Sequence, residues 1–230
     1  MRNGKLILGY MPQGTGQVFP FNAVFDHGQD IMKQGFDGVD ALVLWGGTDI
    51  HPSYYKEKAH PLNQKYGMGP SSRDENEWKA MKYAKANNMP IIGVCRGAQF
   101  LCAFSGGRLV QHTTGHHTNH NVMFSDSTDI MVTSSCHHQM MYPWVKGVDY
   151  QLLAWSSTNL SSCYEDEYAA PIHEMVAHVE PEVIYFPKTR GLAIQGHPEW
   201  MEQADPFVKY CNEKIEALLL NAKEELEVEV

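Results

Sequence analysis

The stretch Ile91-Ile92-Gly93-Val94-Cys95-Arg96-Gly97-Ala98-Gln99 decides how the rest of the sequence is read. Its short apolar run, Ile91 to Val94, fits a strand buried on both faces of a parallel sheet. The run enters Gly-x-Cys-x-Gly with no spacer, and Ala98–Phe104 then reads as a short apolar helix ended by Ser105-Gly106-Gly107. This is the cysteine counterpart of the strand–turn–helix elbow that presents a nucleophile. The turn is tight, so the residues two before and two after the nucleophile must be small. Cys95 would sit at a helix N-terminus, where the dipole favours a thiolate. The backbone N–H of Arg96 could then meet a developing oxyanion. Glycine makes up about 7% of average sequence, so flanking glycines at any one of five cysteines arise by chance roughly 2% of the time.

A thiolate that attacks an amide needs a proton shuttle and an acceptor to orient it. Both are present in Leu192-Ala193-Ile194-Gln195-Gly196-His197-Pro198-Glu199-Trp200. A strand ends at Gly196, which puts His197 at the C-terminal edge of the sheet, where sites of open α/β folds form. Pro198 stiffens the turn, so Glu199 can fold back to the imidazole. Alone, His-Pro-Glu is a weak signal. About 100 residues after a cysteine elbow it is a strong one.

The remaining segments support an α/β reading. Leu6–Tyr10 and Ala41–Trp45 are further apolar runs, the second stopped by Gly46-Gly47. His51–Ser71 is rich in Pro, Tyr, Lys and Gly and reads as a long lid or binding loop. Ser72-Arg73-Asp74-Glu75 has the capping-box pattern, which starts a helix running to about Asn87. Further strands are expected at Ile130–Thr133, Tyr150–Trp155, Met175–Val179, Val183–Phe186 and Leu192–Gln195. A last helix is expected from Pro206 to about Glu225, with an acidic, frayed end over 224–230. The order β–loop–β–α–β–α, then β-rich segments and a helix, predicts a single α/β domain over 1–230.

Composition removes several function classes. The chain has 230 residues, 18 Lys+Arg and 27 Asp+Glu, a net charge of −9, which argues against nucleic acid as the main partner. No run approaches the ~18 apolar residues of a membrane span. The apolar run Leu6–Leu8 is too short for a secretory segment. The five cysteines are odd in number and contain no C-x-x-C, so a reduced, cytoplasmic setting is expected. Cys102, seven residues after Cys95, is expected in the core.

Six of the twelve histidines, His112, His116, His117, His120, His137 and His138, fall within 27 positions. Zinc ligation needs ligands on rigid elements, and 112–120 holds Gly115, Asn119 and three threonines. That stretch reads as a loop at a pocket mouth, and no metal or cofactor is expected. His137 reads as pocket architecture, closer to the centre than His138. Tyr54, Tyr55 and Trp200 suit either a pocket wall or plain packing.

Taken together, these residues resemble the class I (triad) glutamine amidotransferase superfamily, most closely its gamma-glutamyl hydrolase and gamma-glutamyl-gamma-aminobutyrate hydrolase branch. Trp45-Gly46-Gly47-Thr48-Asp49 with Pro52 and Tyr55 is similar to that branch's G-G-x-D-x-x-P-x-x-Y loop. Arg73-Asp74 with Glu77 is similar to its R-D-x-x-E helix start. Gly93–Gln99 with Gly106-Gly107 resembles its C-R-G-x-Q elbow and helix end. Ser135-Cys136-His137-His138-Gln139 resembles its S-x-H-x-Q segment, and Gln195–Trp200 its Q-x-H-P-E-W close. The likeness spans roughly residues 41–200.

The resemblance implies a mostly parallel central sheet with helices on both faces, flavodoxin-like. It implies Cys95 as nucleophile, His197 as base and Glu199 as its orienter. The backbone N–H groups of Gly47 and Arg96 would form the oxyanion hole. Gly46, Gln99, Ser135 and His137 would line the gamma-glutamyl end of the substrate. The implied reaction is hydrolysis of a gamma-glutamyl amide, glutamine or a conjugate, through a thioester. Alternatives are a glutaminase subunit that supplies ammonia to a separate synthetase partner, and a non-catalytic binding or regulatory relative. A homodimer is compatible with the sequence.

Overall fold

The computed structural model describes residues 5–12, 18–172 and 179–221. The strands are β1 (Ile7–Tyr10), β2 (His27–Asp30), β3 (Ala41–Leu44), β4 (Ile91–Val94), β5 (Arg108–Val110), β6 (His112–Thr113), β7 (His120–Phe124), β8 (Met131–Thr133), β9 (Met140–Tyr142), β10 (Gln151–Ser156), β11 (Tyr164–Glu165), β12 (Pro181–Phe186) and β13 (Gly191–Ile194). The helices are α1 (Ile31–Gln34), α2 (Ser72–Ala86), α3 (Arg96–Phe104) and α4 (Pro206–Lys214). Nine strands form one sheet in the order β2-β1-β3-β4-β13-β12-β10-β7-β8. The first five of these run parallel. The last four continue by antiparallel pairing. The expected doubly covered α/β sheet is therefore present, with an antiparallel wing.

Alternation along the central strands builds a core on each face. Val43, Ile92, Leu192 and Ile194 point to one face and pack with Phe207, Cys211 and Ile215 around α4. Leu42, Leu44, Ile91 and Ala193 point to the other and pack with Met81, Ala84 and Leu101 of α2 and α3. Full burial on both sides explains why β3, β4 and β13 read as unbroken apolar runs. Tyr54 and Tyr55 belong to this second core. Tyr54 packs on Trp78 and Phe100, with ring centroids 4.9 and 5.0 Å away. Packing is their main place, and both also line a cleft with Lys56, Glu57 and Arg108.

Some expectations move. The α2 cap is Ser71, one residue before the predicted Ser72, and its box partner is Asp74. The stretch 112–120 is not a plain loop, since it contains β6 and opens β7. Beyond α4 the chain continues as a π-helical turn over Ile215–Leu220. The strand expected at Met175–Val179 lies outside the described residues except for Val179, as does the acidic end. Among the described residues, no helix is long and apolar enough to cross a membrane.

The contact that positions the site is between the N-terminus of α3 and the end of β3. A Cβ on Gly97 would lie 2.1 Å from the Leu44 carbonyl oxygen, and one on Gly93 would lie 2.5 Å from the Gly97 carbonyl oxygen. Both obstacles are backbone and cannot swing away. Gly97→Ala is expected to cost about 3 kcal/mol or more through overpacking. Urea denaturation checks this, and a wild-type midpoint would refute the close approach.

Candidate active site

Cys95 joins β4 to α3 with φ 51° and ψ −109°, outside the regions that ordinary residues favour. Such conformations cost about 1–3 kcal/mol and persist only where the surroundings enforce them. The enforcing group is Arg96. Its side chain is fully buried and donates to Asp74 Oδ1 at 2.5 Å and to Glu77 Oε2. Asp74 has two tasks, because its other oxygen accepts the Ser71 backbone N–H at 2.8 Å and completes the α2 cap. That shared use explains why the cap falls on Ser71. Removing one partner of a buried ion pair costs about 3–5 kcal/mol, so the elbow is locked to α2.

Arg73 anchors the facing loop. It donates through Nε to Glu77 Oε1 at 2.8 Å and through one terminal nitrogen to the carbonyls of Trp45 and Gly46, at 2.8 and 3.0 Å. Gly47 follows with φ 143°, and a Cβ there would lie 2.3 Å from the Arg73 guanidinium. A Cβ on Gly46 would lie 2.9 Å from His197 Cε1 and 3.5 Å from Cys95 Cβ. Bare backbone at 46–47 thus lies against both Cys95 and His197. Sequence reasoning noted Arg73 only within the R-D-x-x-E helix start and gave its side chain no place in the site. Its signal was the i, i+4 spacing to Glu77, a carboxylate on the same helix stripe as the buried Ala80, Met81 and Ala84.

His197 follows β13 and is buried. Its Nδ1 lies 2.8 Å from Glu199 Oε1, and its ring and Cys95 both border Gly46, close enough for the thiol to act on the imidazole. Its backbone is fixed twice by Ser134, whose carbonyl accepts the His197 N–H at 3.1 Å and whose hydroxyl donates to the His197 carbonyl. Sequence reasoning also missed Ser134. The Trp200 ring stacks on the imidazole at 3.6 Å with 3° between planes, while 54% of the residue remains exposed. Trp200 is therefore a wall of the site. Burial alone would lower the His197 pKa, but the influence of Cys95 and the bond to Glu199 prevail and push it up to about 10.

The other candidates form a second wall. Gln99 donates its amide to the Gln139 carbonyl at 2.8 Å, Ser135 donates its hydroxyl to the His116 carbonyl at 3.0 Å, and His137 Nδ1 lies 2.9 Å from the Gln139 carbonyl. The three are brought together, each with a polar group bonded inside the protein. His138 lies apart, 3.0 Å from Asp49 of the Gly46–Asp49 loop. Cys102 is buried in the core, which pushes its thiol up to about 12.

Two histidines of the stretch expected at the pocket rim turn inward instead, while His117 is exposed and His112 half-buried. His116 and His120 are buried and face Glu180 and Glu182. His116 also stacks on His137 at 4.4 Å. The signal for this cluster was the Glu180-Pro181-Glu182 alternation at the start of an apolar strand, which sends both carboxylates to the same side.

The raised His197 pKa has a fixed sign in stability. Its contribution is complete below the ordinary value of 6.5 and is lost as pH rises through about 10. NMR titration of the imidazole should show the proton retained well above neutrality, with a lower midpoint in Cys95→Ala. A wild-type midpoint near 6.5 would contradict the pairing.

Three comparisons bear on this geometry. The Peptidase C26 family profile matches residues 14–161. The chain is 45% identical over 73 residues to the glutamine amidotransferase-like protein YvdE of Lactococcus lactis, covering 32% of this chain and 30% of that protein. It is 39% identical over 59 residues to the carbamoyl phosphate synthase small chain of Xanthomonas axonopodis, covering 25% of this chain and 15% of that one. These matches span about a third or less of the relatives' lengths. A glutamine amidotransferase from Thermotoga maritima superposes with a TM-score of 0.54 at 13% identity, over 99% of this chain and 100% of that one. At that identity the likeness concerns the fold.

Proposed function

The chain belongs to the Peptidase C26 family, and on that premise we propose that it hydrolyses gamma-glutamyl amide bonds through a thioester on Cys95. The observation that carries this reading is the buried row Cys95, His197, Glu199 at the C-terminal edge of the parallel strands. Cys95 Sγ attacks the side-chain carbonyl carbon of the gamma-glutamyl group. A C–S bond forms, and the carbonyl π electrons move to oxygen. The N–H groups of Gly47 and Arg96 receive that charge. His197, charged and oriented by Glu199, gives its proton to the amide nitrogen as the C–N bond breaks. Ammonia or an amine leaves. His197 then takes a proton from water, the hydroxide oxygen attacks the thioester carbon, and the C–S bond breaks to release glutamate and regenerate the thiolate.

Trp200, stacked on the imidazole, shields one face of the transferring proton from water. Gln99 and the Ser135–His137 segment receive the amino-acid end of the substrate, and Gly46 leaves room for its carbonyl beside Cys95. We place the site within one domain that works in a reducing compartment, consistent with five free cysteines among the described residues.

The local likeness to the carbamoyl phosphate synthase small chain favours a second reading, in which the released ammonia passes to a separate synthetase subunit. The two readings differ in the behaviour of the isolated chain. As a hydrolase it turns over gamma-glutamyl amines without help. As a subunit it accepts glutamine alone, weakly, until a partner is added.

Steady-state kinetics on glutamine and gamma-glutamyl amines test the assignment. Cys95→Ala should abolish turnover with the fold intact, and His197→Ala should lose about 10²- to 10⁴-fold in kcat. Glu199→Gln should lose less, because orientation rather than the base is removed. Wild-type turnover by Cys95→Ala would refute the assignment.

A further inference from the structure

A second group of titratable side chains lies inside the protein and takes no chemical step in the reaction above, although one of them, His137, also belongs to the segment that borders the substrate. His116, His137 and Glu182 are buried, and one donor atom from each lies within 4.8 Å of the others. Among the described residues, both His116 ring nitrogens, His137 Nε2 and Glu182 Oε2 are buried without a hydrogen-bond partner. Buried polar atoms are normally satisfied, so several unsatisfied ones in one place imply a missing partner that all of them can contact. A cation that accepts lone pairs from imidazole and carboxylate meets that need.

The surrounding bonds are those of a metal site. Metal-bound histidines usually place their second nitrogen on a carbonyl or carboxylate, which fixes the tautomer and turns the free lone pair inward. His137 does this, with Nδ1 2.9 Å from the Gln139 carbonyl and Nε2 free. His116 is placed in mirror fashion by ion-pair contacts rather than by a hydrogen bond. Its Nε2 lies at ion-pair distance, 3.3 Å, from Glu180 Oε2, and its Nδ1 faces Glu182 Oε1 at 3.8 Å. Glu182 Oε1 is itself held by His120 Nε2 at 2.9 Å, which leaves Oε2 unpartnered. Each candidate ligand is thus oriented from behind by its own partner.

We propose that His116, His137 and Glu182 bind one divalent transition-metal ion of the zinc class. Two imidazoles and one carboxylate suit that class and disfavour Mg²⁺ or Ca²⁺, which prefer all-oxygen shells. Tetrahedral ligation at about 2.0–2.2 Å brings ligand atoms to about 3.5 Å from one another, so binding draws the three side chains inward by about an ångström. The fourth position is left to water. The ion ties together the β6–β7 connection, the segment before β9, and β12. His137 N–H and Ser135 Oγ already bond the His116 carbonyl, at 2.9 and 3.0 Å. The ion therefore clamps the Ser135–His137 segment in place. This site stands independently of the hydrolase reading.

A cysteine–histidine pair also attracts zinc, so the test uses Cys95→Ala protein, freed of metal with a chelator and titrated with Co²⁺ alone. The expected result is one equivalent bound, with visible ligand-field bands, no thiolate charge-transfer band, and displacement by Zn²⁺. Adding Glu182→Gln or His137→Gln should weaken Co²⁺ binding by more than about 100-fold, and His120→Gln by about 10- to 100-fold. Failure of the folded Cys95→Ala protein to bind Co²⁺ overturns the proposal without reference to any further variant. Unchanged binding in folded Glu182→Gln or His137→Gln protein overturns it as well.

Discussion

The backbone contact between Gly97 and the Leu44 carbonyl is the constraint on which the site depends. It presses the start of α3 against the end of β3, closer than any side chain would allow. Two consequences follow. Cys95 turns through its positive-φ elbow, which Arg96 holds, and the Gly46-Gly47 loop that continues β3 is brought against it. The strain is about 1–3 kcal/mol. The buried Arg96 pairs with Asp74 and Glu77 resist its release, since breaking either leaves an unpaired buried charge at about 3–5 kcal/mol. Arg73 then pins the loop through Trp45 and Gly46, so a short network of charges on α2 holds both sides of the candidate site.

Electrostatics separates two histidines that share similar burial. His197 and His137 both lie inside, and burial alone would neutralise each. For His197 the bond to Glu199 and the nearby Cys95 thiol outweigh burial, and the imidazolium is favoured. For His137 burial dominates, and its neighbour His116 adds repulsion rather than relief, so its pKa lies well below the ordinary value. A charged imidazole suits proton donation to a leaving amine. A neutral one with a free Nε2 suits a ligand role. Glu182, on β12 next to β13 in the sheet, connects the two regions, since Gln195 N–H bonds the Glu182 carbonyl two residues before His197.

The elbow and the His197–Glu199 pair were legible because both are local. Each is a few residues long, and its glycines or proline restrict the backbone directly. The alternating core strands were legible for a similar reason. What could not be read depends on contacts distant in sequence. The α2 cap falls on Ser71 because Asp74 also serves Arg96, a demand made 22 residues away. Tyr54 faces the core because Trp78 and Phe100 come beneath it. The histidine stretch looked like a rim because its glycine and threonines suggest a loop. Glu180 and Glu182 draw it inward from some 60 residues away. The antiparallel wing likewise rests on pairings between strands that are not neighbours in sequence, such as β10 with β7.

The central claim is that the strained Cys95 is acylated by a gamma-glutamyl group. Intact-protein mass spectrometry tests this most directly. The protein is quenched in acid during turnover with glutamine, gamma-glutamyl-GABA, gamma-glutamyl-putrescine or a polyglutamate, then mapped by peptide. The account predicts one gamma-glutamyl adduct, located on Cys95, with at least one of these substrates, and no adduct in Cys95→Ala. Turnover without an adduct on Cys95, or an adduct on another residue that survives in Cys95→Ala, would contradict it.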